Sequence, residues 1–157
     1  MKLLLIVIVA ACIATNVYSQ TGLTTKKSGN MKLNAGIVTE KFEESKDFYT
    51  RTLGFGITFE NDFYLLLHTP GHSAEISFLK PDHPSQQALF HQPFRGRGVY
   101  LTIEVDDVDR LYRELKEQGV GIKIDIRDEP WGDRHFAIED PNGIAIDLVT
   151  YSAPPRQ

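Results

Sequence analysis

The sequence predicts an α+β fold in which two βαβββ modules pair their curved, mixed sheets around a cavity. Three observations carry this expectation. The order strand, helix, strand, strand, strand occurs twice along the chain of 157 residues. Turn residues punctuate the strand runs in both copies. The stretch holding both copies, residues 32–151, is about 120 residues, enough for one domain with its own core.

Module one spans residues 32–80. It opens with the alternating run 33–39 (LNAGIVT), and a helix follows over 43–53 with apolar residues at Phe48, Tyr49 and Leu53. Strand-like runs at 55–60 (FGITFE), 63–68 (FYLLLH) and 74–79 (AEISFL) complete it, separated by Asn61-Asp62 and Thr69-Pro70-Gly71. A linker, 81–97, leads to module two, residues 98–151, whose first run is 99–105 (VYLTIEV). Asp106 or Asp107 then supplies an N-cap, Val108, Leu111, Tyr112 and Leu115 fall at helical spacing, and Gly119 sits where a C-cap belongs. Runs at 122–126 (IKIDI), 134–139 (RHFAIE) and 144–149 (IAIDLV) follow. Between the last two lies Asp140-Pro141-Asn142-Gly143, with Pro at the second turn position and Gly at the fourth, which predicts a tight hairpin. A repeat of this length points to a duplicated architecture, and two curved sheets side by side would enclose a hollow.

The flanking segments read differently. Residues 1–19 (MKLLLIVIVAACIATNVYS) carry one Lys and an apolar run from Leu3 to Ala14, too short to span a bilayer, and match a secretory signal peptide. Val17 and Ser19 stand at minus three and minus one of a cut before Gln20. A rival signal is Val9-Ala10-Ala11-Cys12, a lipoprotein box that would leave Cys12 as an acylated N-terminus. Residues 20–31 are polar, lack periodicity and read as a flexible linker, and 152–157 as a C-terminal tail. The expected location is periplasmic or secreted, or lipid-anchored through Cys12 in the alternative.

Cys12 is the only cysteine, so cleavage after Ser19 leaves no disulfide, no thiol nucleophile and no Cys-ligated metal. The formal charge is −4, and loss of Lys2 with the leader makes it about −5. That balance argues against nonspecific nucleic-acid binding and against a basic membrane-surface face, and no membrane span follows the leader. Neither a Ser-His-Asp arrangement, a phosphate loop nor a dinucleotide fingerprint is present.

Three phrases carry a family resemblance: 44–55 (ESKDFYTRTLGF), 103–119 (IEVDDVDRLYRELKEQG) and 131–143 (WGDRHFAIEDPNG). In that order and spacing they resemble the vicinal oxygen chelate (VOC) superfamily, which includes glyoxalase I, bleomycin-resistance proteins, fosfomycin-resistance enzymes and extradiol dioxygenases. The resemblance covers essentially all of 32–151. It implies the paired-module fold and a homodimer in which a partner's module completes each cavity, or else contacts within one subunit that close the same sites. Metal-dependent members draw ligands from four strand positions, two per module, and these slots fall at Asn34, Glu75, Tyr100 and Asp147. The two slots that most often hold His hold Asn34 and Tyr100 instead. Glu75 and Asp147 supply only two strong donors, so no tight Zn²⁺, Ni²⁺ or Fe²⁺ site is expected and no cofactor is assigned. Asn34 and waters would complete only a loose oxygen shell for Mg²⁺, Mn²⁺ or Ca²⁺. In the family the W-G-x-R phrase lines the cavity mouth, which sets Trp131 and Arg134 beside a ligand. Alternatively Trp131 plugs the barrel end and Arg134 pins the Asp140 turn.

Asp147 interrupts an apolar strand. Ile144, Ile146 and Leu148 share one face, and Ala145, Asp147 and Val149 the other, so Asp147 would look into the cavity. A buried carboxylate needs a partner, and Tyr100 O–H, Asn34 N–H, Arg134 or a polar ligand are available. Glu75, Asp147 and Tyr100 are the candidate catalytic groups; Asn34, Glu75, Tyr100, Trp131, Arg134 and Asp147 are the candidate ligand contacts. The plainer alternatives are ion pairs along the sheet edges for Glu75 and Asp147, and a backbone carbonyl for the Tyr100 hydroxyl. Phe55, Phe59, Phe63, Tyr64 and Phe136 form an aromatic set, most of it core. His68 and His72 bracket a hairpin tip, His83 and His91 lie in the linker, and His135 points away from whichever face Arg134 and Phe136 occupy. Arg95 and Arg97 sit in a loop that is solvated, or reaches an anionic ligand or a partner subunit.

The function expected is that of the bleomycin-resistance branch: an exported protein that sequesters a small organic molecule in an aromatic cavity without a tightly bound transition metal. The alternative is a metal-dependent lyase, isomerase or dioxygenase-like enzyme using Glu75 and Asp147. A third option is a cavity filled by the protein's own side chains.

Overall fold

A computed structural model of the chain describes residues 32–152. The signal peptide with Cys12, the linker 20–31 and the tail beyond 152 lie outside the described residues. Every element below belongs to the unit Leu33–Gln157.

Both modules follow the expected order. Module one consists of β1 (Ala35–Val38), α1 (Phe42–Asp47), β2 (Gly56–Glu60), β3 (Tyr64–His68) and β4 (Glu75–Leu79). Module two consists of β5 (Tyr100–Glu104), α2 (Val108–Glu117), β6 (Ile124–Asp128), β7 (Asp133–Glu139) and β8 (Ala145–Tyr151). Each module makes its own four-stranded mixed sheet, in the orders β1-β4-β3-β2 and β5-β8-β7-β6. The first strand runs parallel to the last, a pairing that requires the helical crossover between them, and the other pairs are antiparallel. The two sheets stay separate, so β1 and β5 are edge strands. β6 is shifted two residues along from its apolar run, beginning where Ile124 pairs with Ala137 and ending near the hairpin tip where Asp128 pairs with Arg134.

The helices show how local sequence sets local shape. Asp107, rather than Asp106, caps α2 by accepting the Arg110 N–H at 2.9 Å. Gly119 ends that helix at φ 78°, a left-handed position that suits glycine. In module one the apolar spacing 48, 49, 53 does not fit a straight helix. After α1 the chain widens into a π-helical turn over Phe48–Thr52, closed by Leu53 N–H to the Phe48 carbonyl at 3.3 Å. That turn brings Phe48, Tyr49 and Leu53 to the core together.

One continuous core joins the modules. Ile37, Leu65, Leu67, Ile76 and Phe78 come from the first sheet and Phe136, Ile138, Ile146 and Leu148 from the second. Phe42, Tyr49, Val108 and Leu115 of the helical segments complete it. The two-residue period of a strand leaves the opposite face of each sheet open: Tyr64, Leu66, Glu75 and Ser77 on one, and Tyr100, Thr102, His135 and Asp147 on the other. Both open faces look away from the shared core. Among the described residues no helix is long and apolar enough to cross a membrane.

A polar knot ties the modules at the hairpin 140–143. Asp140 is only 4% exposed. Its Oδ1 accepts the N–H groups of Asn142 and Ile144 at 2.8 and 2.9 Å. Its Oδ2 accepts Tyr49 O–H at 3.2 Å and Asn142 Nδ2 at 3.0 Å. Asn142 also donates to Ser45 Oγ at 3.0 Å and accepts Thr39 Oγ1 at 2.5 Å, while Lys41 Nζ donates to the Pro141 carbonyl at 2.5 Å. Four donors thus answer a buried carboxylate. Burial, then the neighbouring Asp140, pushes the Tyr49 phenol far above its ordinary range, which keeps it a donor. The turn itself is the expected one: Gly143 N–H reaches the Asp140 carbonyl at 3.0 Å with φ 80°. Asp140→Ala strips all four donors of their acceptor and is expected to cost about 3 kcal/mol of stability. Urea unfolding measures this, and an unchanged midpoint would show that apolar contacts alone hold the modules.

Candidate functional site

The four strand slots sort into two pairs. Asn34 precedes β1, and its Nδ2 donates to Glu75 Oε2 at 3.2 Å. Thr58, at the β2 bulge, approaches the other oxygen of Glu75 at 3.4 Å. Tyr100 opens β5 and is 67% exposed. Asp147 is the ladder partner of Thr102, on the same face as Tyr100 and one pair further along. No hydrogen bond among the described residues links the first pair to the second.

The partner of Asp147 is none of the three side chains anticipated for it. His135 Nδ1 lies 2.6 Å from Asp147 Oδ1, and its Nε2 lies 3.2 Å from Glu129 Oε1. Glu129 is in turn held by Arg127, whose Nε donates at 2.6 Å. The chain Arg127–Glu129–His135–Asp147 therefore alternates in charge when the imidazole is protonated. It forms because β7 and β8 pair Ala137 with Asp147, which sets His135 diagonally across on the same face. The signal was present in the sequence: counting outward from the turn 140–143 gives this register. Asp147, and secondarily Glu129, raises the His135 pKa above its ordinary 6.5, while Arg127 foremost holds Glu129 below its ordinary 4.5.

Trp131 and Arg134 part company. Trp131 stands at the β6–β7 tip, 70% exposed, and its indole N–H donates to Asp133 at 2.7 Å. It plugs nothing. Arg134 points to the core side of β7, where Nε and Nη2 grip the two oxygens of Asp109 on α2 at 2.7 Å and Nη1 reaches Asp128 at 3.0 Å. It pins α2 to the second sheet, rather than the Asp140 turn, and lies on the opposite face from Asp147. This bidentate pair holds the Asp109 carboxyl below its ordinary range.

A cleft of about 620 Å³ opens between the modules, where β1 and β4 meet β5 and α2. Leu53, Phe55, Ile76, Leu101, Ile103 and Leu148 line its apolar part, and Glu75, Thr102, Glu104 and Arg110 its polar part. Glu75 is the one slot residue that reaches it; Asp147 stands one strand away, behind Thr102. Of the aromatic set, Phe136 is fully buried and Phe55 lines the cleft, Phe59 packs on Tyr64 at 6.2 Å, and Phe63 stacks on His83 at 3.8 Å. His68 and His72 stack on each other at 3.5 Å at the β3–β4 tip.

The raised His135 pKa has a stability consequence with a defined sign. A group whose folded pKa exceeds its unfolded value stabilises fully below the unfolded value, here 6.5, and that share is lost as pH rises through the higher folded value. Thermal melts are expected to show stability falling as pH rises above 6.5, with a shallower slope in His135→Gln. Identical slopes in the two proteins would disprove the charged bridge.

The comparisons with known proteins agree with this geometry. The family model described as Glyoxalase/Bleomycin resistance protein/Dioxygenase superfamily matches residues 33–148. Among curated proteins no relative matches. A glyoxalase/bleomycin resistance protein/dioxygenase from Nocardioides is 21% identical with a TM-score of 0.65, covering 85% of this chain and 92% of its own. TnmS3, an antibiotic-binding protein from Streptomyces sp. CB03234, is 26% identical with a TM-score of 0.63, covering 80% and 98%. A bleomycin resistance determinant encoded on the transposon Tn5 is 21% identical with a TM-score of 0.58, covering 79% and 100%. With its repeated βαβββ modules and a family match across nearly all of both, the chain belongs to the glyoxalase/bleomycin resistance protein/dioxygenase superfamily.

Proposed function

We propose that this protein binds a small organic molecule between its modules, without a tightly held transition metal. The observation that carries the reading is the cleft. Its volume of about 620 Å³ falls within the range of small-molecule sites, and its apolar part is edged by polar side chains, among them Glu75, Glu104 and Arg110. The likeness to TnmS3, described as antibiotic-binding, supports an antibiotic-like small molecule as the ligand class. A resident metal, as in the metal-dependent branches, does not suit the donor set. Asn34 and Thr58 occupy Glu75, His135 occupies Asp147, and the two slots that would supply imidazoles hold Asn34 and Tyr100. Among the described residues no three His, Cys, Asp or Glu side chains cluster as a metal site requires.

A homodimer and an exported location complete the proposal. Phe59, Tyr100, Trp131 and Tyr151 are large, exposed side chains, and a second copy laid on the open faces would cover them. The leader at 1–19 directs the chain out of the cytoplasm.

Equilibrium dialysis and thermal-shift screens against aromatic and glycopeptide compounds, with and without chelator, test this reading. A chelator-independent binder is expected, weakened about tenfold in Glu75→Gln by loss of one charge-assisted hydrogen bond. The opposite result is no binder at all, with a divalent ion that stabilises the protein and is lost in Glu75→Ala or Asp147→Ala. That outcome would replace binding by the enzymatic alternative.

A further inference from the structure

A second hollow, of about 410 Å³, lies before the start of β5, between the inter-module linker and the turn 140–143. One wall is the segment 95–99 (RGRGV), and the other carries Glu139 and Asn142. Only Val99 and Ala145 offer it hydrocarbon, so it does not suit an apolar guest.

Its charges leave one cation free. Arg95 is paired with Glu40 at 2.7 Å, and Glu139 faces Lys123 at 3.6 Å. Among the described residues the Arg97 guanidinium has no carboxylate within 4.0 Å. The backbone adds donors to it. Phe94 N–H still donates to the Val38 carbonyl at 2.8 Å, but the N–H groups of residues 95–98 reach no acceptor among the described residues. Gly96 and Gly98 shield their amides with no side chain, and Gly98 holds φ 80°, which glycine alone adopts at no steric cost. A planar fork of donors beside a run of free amides is the chemistry that coordinates an oxyanion.

We propose that this hollow is a binding site for a small oxyanion, a phosphate or carboxylate group, with Arg97 as the charged fork and the Gly96 and Gly98 amides as further donors. The site is separate from the cleft and does not depend on what the cleft holds.

Amide NMR on the labelled protein tests it, with inorganic phosphate and succinate titrated separately at constant ionic strength, and chloride as the reference. Saturable shifts at Gly96 and Gly98 are expected with at least one of the two anions. Arg97→Gln is expected to weaken that binding about tenfold or more. Arg113→Gln, on α2 and outside any ion pair among the described residues, should leave it unchanged. A response to phosphate alone assigns a phosphoryl ligand, and a response to succinate alone assigns a carboxylate. Shifts reproduced by chloride, undiminished binding in Arg97→Gln, or no saturable shift with either anion would each overturn the site.

Discussion

The buried carboxylate of Asp140 is the contact on which the rest of the molecule depends. It closes the β7–β8 hairpin through two backbone N–H groups, and through its other oxygen it reaches Tyr49 in module one. One side chain therefore sets both a strand register and the docking of two modules. Register matters because a slip by one residue moves every side chain of a strand to the other face. With Glu139 opposite Ala145, Phe136 and Leu148 go to the core, and His135 and Asp147 go to the open face.

That division shapes the site. The helix-facing sides of both sheets merge into one core, so each open face looks outward and carries the polar residues that the core could not accept. Glu75 opens β4 one residue ahead of its first pair with β1, whereas Asp147 lies within the parallel ladder of β5 and β8, opposite Thr102. Their surroundings differ in kind. Glu75 is met by neutral donors, Asn34 and Thr58, whereas Asp147 is met by an imidazole that a second carboxylate and an arginine hold in place. A duplicated scaffold has thus been furnished with two different chemistries, one beside the cleft and one braced behind its edge strand.

The charged groups that look most like recognition elements are partly engaged elsewhere. Arg134 holds α2 on the second sheet, and Arg95 is paired with Glu40. Among the described residues Arg97 has no such partner, and the loop that carries it is glycine-rich at the place where the modules join. The cleft runs along β5 from Leu101 onward, whereas the hollow is lined by residues 95–99 ahead of that strand, so the two have no lining residue in common.

The repeat, the helix N-cap and C-cap of module two, the turn 140–143 and the alternation of each strand were legible in the sequence, because each depends on residues within a few positions of one another. The family resemblance rested on three such local phrases, and the family match extends across them. The π-helical turn was legible only as an odd spacing at 48, 49 and 53. The missed pairing of His135 with Asp147 needed a register count from the turn, not periodicity within one strand. The sequence by itself thus determined which elements form and which strand face each residue takes. Only the tertiary structure decided that Arg134 turns to Asp109, that Trp131 stands at an exposed tip, and that the sheets remain separate across a shared core. Those outcomes depend on how elements far apart in the chain pack, and side-chain partners across such contacts leave no periodic trace in the residues themselves.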